Sequence, residues 1–340
     1  MGTPILIFGD RMEDLFKLLK PVFKVPEPSF PGRIVEVTLG STIEEGGSSL
    51  HSLKLGGGRA LPFYSSETRK PVLASIVYDS LEPLPLIIRE GLGGLTGDPV
   101  EWAKACRGLG AEVIALKLQE VRGREVGSRK KVEGLIHRLL DEVRLPLIIG
   151  FAGEPTSVEL LKAAAEAAEG ERCVLASATL GGDCEGLVEA AVRYDHSIVA
   201  ETDCDPASQR SLNQKLLDMG LDENKLLMDP TSAALGLGIE YSISIIEQMR
   251  LDALRGDETL RFPIVILRAL EYAWKAREAW DPGVSHNPAL MGPLWEAHTA
   301  LTLYLAGADL LAILHPRTLK IMKGFLSDHS LEGEPRGGSA

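Results

Sequence analysis

Residues 173–229 read CVLASATLGGDCEGLVEAAVRYDHSIVAETDCDPASQRSLNQKLLDMGLDENKLLMD. Three apolar runs of strand length stand out: 173–177 (CVLAS), 197–201 (SIVAE) and 225–229 (KLLMD). Each is nearly continuous in apolar residues rather than alternating. That is the pattern of strands buried on both faces, as in parallel sheets with helices packed outside. The stretches between the runs have helix length and mixed polarity. The unit is therefore strand, helix, strand, helix, strand.

The same beat extends in both directions. Upstream lie 72–77 (VLASIV), 112–118 (EVIALKL) and 146–150 (PLIIG); downstream lie 263–267 (PIVIL) and 309–314 (DLLAIL). Helix starts fall where they should. Asp98-Pro99-Val100-Glu101 offers an N-cap aspartate, a proline at the first helical position and an early acid. Glu154-Pro155-Thr156, Asp205-Pro206 and His315-Pro316 follow their runs similarly, and Thr156 and Glu159 have capping-box spacing. The longest candidate helix, about 238–255, places Ile239, Ile243, Ile246, Arg250 and Leu254 in one row, with Gly256 positioned to end it. Eight strand–helix units over residues 72–327 are what a closed (β/α)₈ barrel requires. A doubly wound open sheet competes, but no G-x-G-x-x-G follows the first strand. The expected fold class is α/β, a (β/α)₈ TIM barrel with an N-terminal arm and a β-hairpin.

Outside the barrel the chain changes character. Residues 1–33 read as an arm with a short amphipathic helix at 10–20 and then Pro21, Pro26, Pro28 and Pro31. Residues 34–71 hold two alternating stretches, 33–39 (RIVEVTL) and 50–55 (LHSLKL), around a Gly/Ser-rich turn, which predicts a hairpin capping the N-terminal mouth of the barrel. Residues 328–340 read as a loose tail.

Composition narrows the function classes. Among 340 residues, 36 Lys and Arg face 48 Asp and Glu, a formal charge of −12. That balance argues against a protein that coats nucleic acid, which needs a basic footprint, and leaves room for a local basic patch. No apolar run of about 18 residues exists to span a membrane, and no basic segment precedes the first apolar stretch as in a secretory signal. Cys106, Cys173, Cys184 and Cys204 are scattered without C-x-x-C spacing. That suggests neither a disulfide framework nor a cluster held by this chain alone, and fits a reducing, cytoplasmic setting.

In this fold the working face is the C-terminal end of the strands. The candidates there are Asp79, Lys117, Glu154, Ser177, Thr179, Glu201, Asp203, Asp229, Thr231, Arg268 and His315. The loops after the last two strands lack the glycines of a backbone phosphate site. Lys225 starts its strand and stands at the wrong end for Schiff-base chemistry, leaving Lys117. The seven histidines include no H-x-H pair for a metal. The glycine-rich stretches 56–58 and 91–97 read as turns. Leu84, Leu86, Ile87, Ile88 and Leu92 follow the first strand and either face a partner or pack on the barrel's own helices. Spacing alone selects no reaction.

Several long strings bring a family into view: 35–47 (VEVTLGSTIEEGG), 98–106 (DPVEWAKAC), 229–250 (DPTSAALGLGIEYSISIIEQMR), 275–280 (KAREAW) and 292–316 (GPLWEAHTALTLYLAGADLLAILHP). Together they resemble the delta subunit of the acetyl-CoA decarbonylase/synthase complex, the small subunit of the corrinoid iron–sulfur protein. The segment that follows Trp280, through Met291, and the first 30 residues carry none of these strings. The resemblance implies a barrel that pairs with a large (gamma) subunit carrying a corrinoid and an iron–sulfur cluster. It also implies a place beside acetyl-CoA synthase and methyltransferase components, in methyl transfer to or from a tetrahydropterin. The corrinoid then belongs to the partner and lies at the interface, and this chain needs no iron–sulfur cluster of its own. A corrin needs a face shielded between transfers, and a barrel rim of small and polar residues suits it. Ser177, Thr179, Asp229 and Thr231 are the expected corrinoid-facing residues, and no catalytic residue is carried over. The alternative is a methyl-tetrahydropterin-binding methyltransferase barrel acting on a corrinoid protein, with Asp79, Asp203 and Asp229 supporting the pterin.

Overall fold

The computed structural model describes residues 29–61, 70–80, 84, 86–91, 97–118, 126–151, 157–231, 233–284 and 287–328. The arm helix expected at 10–20, Glu154 with the Thr156 cap, Leu92 and the tail beyond 328 lie outside the described residues.

Two strands, β1 (Glu36–Leu39) and β2 (Leu53–Gly56), pair antiparallel, with Glu36 opposite Gly56 and Leu39 opposite Leu53. Eight more follow: β3 (Val72–Tyr78), β4 (Val113–Leu118), β5 (Leu147–Phe151), β6 (Val174–Ala178), β7 (Ser197–Glu201), β8 (Leu226–Asp229), β9 (Val265–Ile266) and β10 (Leu310–Ile313). Every apolar run named above overlaps one of them: five enclose their strand, and the strands at 72–77, 146–150 and 173–177 run one residue further. They form a parallel sheet in the order β8-β7-β6-β5-β4-β3-β10-β9. The ring closes between β8 and β9 through one bridge, Met228 to Ile264, with Met228 N–H donating to Pro263 O at 2.9 Å. All residues of β3, β4, β8 and β10 are buried, because side chains point alternately into the barrel and against the surrounding helices. The continuous apolar runs follow from that double burial.

The helix caps form as expected. The Asp98 carboxylate accepts from Val100 N–H, with Pro99 opening helix Pro99–Leu109. Asp205 accepts from Ala207 and Ser208 N–H at 3.1 and 3.0 Å. Each such cap contributes about 1 kcal/mol. Helix Ile239–Arg255 buries Ile246, Arg250 and Leu254 and ends at Gly256, where φ is +113°. Leu84 and Ile88, left open between partner and barrel, are buried in the core.

The hairpin bonds to segments at the N-terminal end of the barrel. Val35 N–H donates to Arg261 O, Gly40 N–H to Arg172 O and Leu50 N–H to Arg144 O, while the His51 ring bonds Glu112 O. Those four carbonyls lie just before β9, β6, β5 and β4 respectively, all at one end. Val37, Leu39 and Leu55 are buried there. The opposite, C-terminal end is left as the working face. Gly56 has φ +76°, and a Cβ on it would sit 2.1 Å from Val35 O. Gly56→Ala is therefore expected to destabilise by about 1–3 kcal/mol. Urea unfolding checks this, and an unchanged midpoint would show that the hairpin yields freely.

Candidate functional site: the C-terminal mouth

Loops that follow parallel strands converge at the C-terminal rim, so residues far apart in sequence meet there. One cluster spans β7, β8 and β9. Asp229, at the end of β8, is fully buried. Its Oδ1 accepts from Thr231 N–H at 3.2 Å and from Thr231 Oγ1 at 2.8 Å, and its Oδ2 accepts from Leu267 N–H at 2.9 Å. Burial, and then the negative charge of Glu201, push the Asp229 carboxyl up to about 7, against the pull of those donors. Arg268, just past β9, reaches back across β8: its Nη1 lies 2.6 Å from Glu201 Oε1 and 3.2 Å from Asp203 Oδ1.

A second cluster joins β3, β4 and β10 to the segment after β9. The Tyr78 hydroxyl donates to Glu271 Oε1, and Lys117 Nζ lies 3.3 Å from Glu271 Oε2. Burial, then Glu271, push the Tyr78 hydroxyl far above the usual phenol range, so it stays a donor. Glu296 is fully buried and accepts from Leu314 N–H at 2.5 Å and His315 N–H at 3.1 Å. Burial pushes its carboxyl up to about 7. His315 stacks on Trp274 with centroids 5.4 Å apart, and its Nδ1 accepts from Arg317 N–H at 3.0 Å. Burial, with Arg317 adding to it, lowers His315 to about 4, so its imidazole is neutral at pH 7. Gly292 lets helix Pro288–Ala306 close on Trp274, since a Cβ there would meet the indole at 2.5 Å.

The third part of the rim follows β6. Ser177 and Thr179 are half-buried there, and the pairing with β7 shifts register between Ala176 and Ala178. Thr179 O accepts from Gly182 N–H at 3.1 Å, turning the chain so that Leu180, Gly181 and Gly182 face outward.

The expected residues thus divide. Ser177 and Thr179 line the rim, while Asp229 and Thr231 lie beneath it, the Asp229 carboxylate accepting from the Thr231 hydroxyl and from the Leu267 N–H. Glu201, Asp203 and Arg268 join the Asp229 cluster, and Lys117 and His315 join the second one. Asp79 is half-buried beside β4, its N–H donating to Lys117 O at 3.1 Å. Lys225 pairs with Asp195 at 2.6 Å, away from the mouth. Sequence reasoning passed over Tyr78, Glu271, Trp274 and Glu296. Only Glu296 carried a signal: it is the sole charged residue in the nineteen-residue helix Pro288–Ala306, where a lone carboxylate amid apolar neighbours marks a buried group.

Among the described residues no three His, Cys, Asp or Glu side chains are grouped to hold a metal ion, and no helix is long and apolar enough to cross a membrane. Cys106, Cys173 and Cys184 are buried and Cys204 is half-buried, and none of the four forms a disulfide.

Fold and mouth together define the class: an eight-stranded parallel (β/α)₈ barrel, with a hairpin bonded to its N-terminal end and an internally bonded polar rim at the other. Solved structures agree with the fold. A dihydropteroate synthase of Yersinia pestis in complex with a sulfonamide drug superposes with a TM-score of 0.52 at 14% identity, over 77% of this chain and 95% of that one. Its counterpart from Xanthomonas albilineans gives 0.52 at 15%, over 78% and 94%. At such identity the likeness shows the fold alone. The particular family comes from the sequence: residues 36–319 match the CO dehydrogenase/acetyl-CoA synthase delta subunit family, and the chain belongs to it. The acetyl-CoA decarbonylase/synthase complex subunit delta of Archaeoglobus fulgidus is 35% identical over 95% of this chain and 74% of its own length. That of Methanocaldococcus jannaschii is 39% identical over 88% and 74%.

Proposed function

We propose that this delta subunit supports methyl transfer between a methyl-tetrahydropterin and the acetyl-CoA synthase centre by pairing with the large subunit and covering its corrinoid with the barrel mouth. One observation supports this reading above the others. The buried charges of the mouth are consumed by internal bonds, while the strip 177–182 (SATLGG) presents small residues around one exposed apolar side chain, Leu180. A Cβ on Gly181 would meet nothing within 4 Å. Such a rim admits a flat macrocycle and offers it a rigid, dry cover rather than a set of free reagents. Ser177 and Thr179 face the group, and Asp229 and Thr231 hold the floor behind them. When bound on its partner, the corrinoid supplies the methyl-accepting cobalt; this chain supplies exclusion of water and a fixed orientation.

The runner-up, a barrel that itself binds the methyl-tetrahydropterin, has one supporting observation: the Asp203 side chain is 75% exposed at the mouth. A single titration series separates the two. The purified chain is expected to take up free cobalamin weakly or not at all, to leave methyl-tetrahydropterin unbound, and to form a tight complex with the corrinoid-loaded large subunit by size exclusion. Stoichiometric uptake of cobalamin by the chain alone would overturn the covering role, and tight pterin binding would favour the runner-up.

A further inference from the structure

Arg268 is the cation of the β7–β9 cluster, and its internal bonds use only one of its nitrogens. Its Nη1 serves both Glu201 and Asp203, at 2.6 and 3.2 Å. Among the described residues, Nε and Nη2 make no hydrogen bond, and 43% of the side chain is exposed. The guanidinium is therefore clamped along one edge and open along the other. A planar fork of donors held in place in this way is pre-organised for an acceptor that can take two N–H bonds.

Charge decides which acceptor. Two carboxylates are bound directly to Arg268, and the Asp229 carboxyl lies in the same cluster, close enough to Glu201 to be raised by it. One positive charge facing two paired carboxylates leaves a local balance of +1 − 2 = −1 before Asp229 is counted. Burial works against the guanidinium charge, but Glu201, Asp203 and Asp229 outweigh it and hold Arg268 protonated. An incoming phosphate or carboxylate would meet net repulsion there. A neutral carbonyl oxygen accepts the same two N–H bonds without that repulsion.

We propose that the open edge of Arg268 is a docking point for a neutral carboxamide oxygen, borne on the rim of the macrocycle that a partner presents to this mouth. This rests on the covering role proposed above and assigns one of its contacts. The position suits it. Arg268 stands one residue past Leu267, whose N–H is held by Asp229 Oδ2 at 2.9 Å. The buried carboxylate thereby fixes the backbone from which the fork projects.

The test measures affinity of the purified chain for the large subunit in three states: empty, loaded with cobalamin, and loaded with a cobalamin derivative whose peripheral amides are hydrolysed to carboxylates. The wild-type chain is expected to prefer the cobalamin-loaded form over both others. Arg268→Gln is expected to reduce its preference for loaded over empty subunit about tenfold. Arg268→Lys keeps a cation between Glu201 and Asp203 but loses the fork, and is expected to lose most of the same preference. Because each variant is compared with itself on the empty subunit, general loss of folding does not mimic the effect. Variants that keep the wild-type preference would overturn the assignment and leave the covering role standing. Tighter binding of the carboxylate derivative, lost in Arg268→Gln, would make this an anion site and overturn the neutral-acceptor claim. A wild-type chain that does not distinguish loaded from empty subunit would overturn the covering role itself, and this contact with it.

Discussion

Replacing Arg250 with alanine is expected to lower the unfolding free energy by about 3–5 kcal/mol, the usual cost of removing one partner from a buried charge pair. The side chain is 6% exposed. Its Nε and Nη2 donate to Gly307 O at 2.9 and 2.7 Å, and Nη2 also contacts Asp309 Oδ2. That same Asp309 oxygen accepts from Ile264 N–H at 2.7 Å. Ile264 forms the bridge to Met228 that closes the ring. Arg250 therefore neutralises the carboxylate that anchors the seam from below. Removing it leaves a buried carbonyl and an uncompensated charge beside the weakest strand junction. Chemical denaturation followed by circular dichroism checks this, with Arg250→Met as the companion variant. Methionine restores the packing of the stem but none of the bonds, so it should recover less than half of the loss. A loss below about 1 kcal/mol for Arg250→Ala would mean that water replaces the arginine and the seam does not depend on it.

The second large effect concerns Asp229 and pH. Its carboxyl stands at about 7 in the folded chain against 3.8 for the free group. Between those values the folded state binds more protons than the unfolded state, so this group's contribution makes stability fall as pH rises from about 4 to about 7. Asp229→Asn lacks that slope. His315 works in the opposite direction: its folded value of about 4 lies below the free 6.5, so its contribution rises with pH across that window. Glu296, raised from 4.5 to about 7, works in the same direction as Asp229. Both are present in the two proteins and cancel in the difference. Asn also puts an N–H₂ group where Thr231 and Leu267 already offer donors. The variant should therefore be the less stable protein near pH 5, and the gap should narrow by more than about 1 kcal/mol by pH 8. Parallel unfolding curves at the two pH values measure it. A gap that does not change with pH would show that Asp229 titrates near its free value.

Much of this architecture was legible before any coordinates. Each of the eight apolar runs coincides with a strand to within a residue or encloses it, and the caps at Asp98 and Asp205 stand where an aspartate precedes Pro and a helical period. The shortest strand shows where legibility stops. The run 263–267 is five residues long, but only Val265–Ile266 is strand. Above the Met228 bridge, the Leu267 N–H bonds the Asp229 side chain instead of a β8 carbonyl. Nothing in the period of either run announces that exchange. Similarly, Asp229-Pro230-Thr231 reads as a polar turn open to the mouth, yet Asp229 and Thr231 are closed onto each other and fully buried. Glu271 stands on helix Ala269–Ala273 but binds Tyr78 and Lys117, from β3 and β4.

The sequence by itself determined the number of strands, their double burial, the helices between them and the family, because hydrophobic period and capping are properties of neighbouring residues. The tertiary structure alone decided which polar groups of the mouth are spent and which remain available. A side chain's burial and its partner depend on loops brought together by ring closure across long sequence separations, and no local pattern encodes that meeting. Arg268 and Asp229 read alike in the sequence, as polar residues at strand ends; only the closed ring buries one and leaves the other with an open edge.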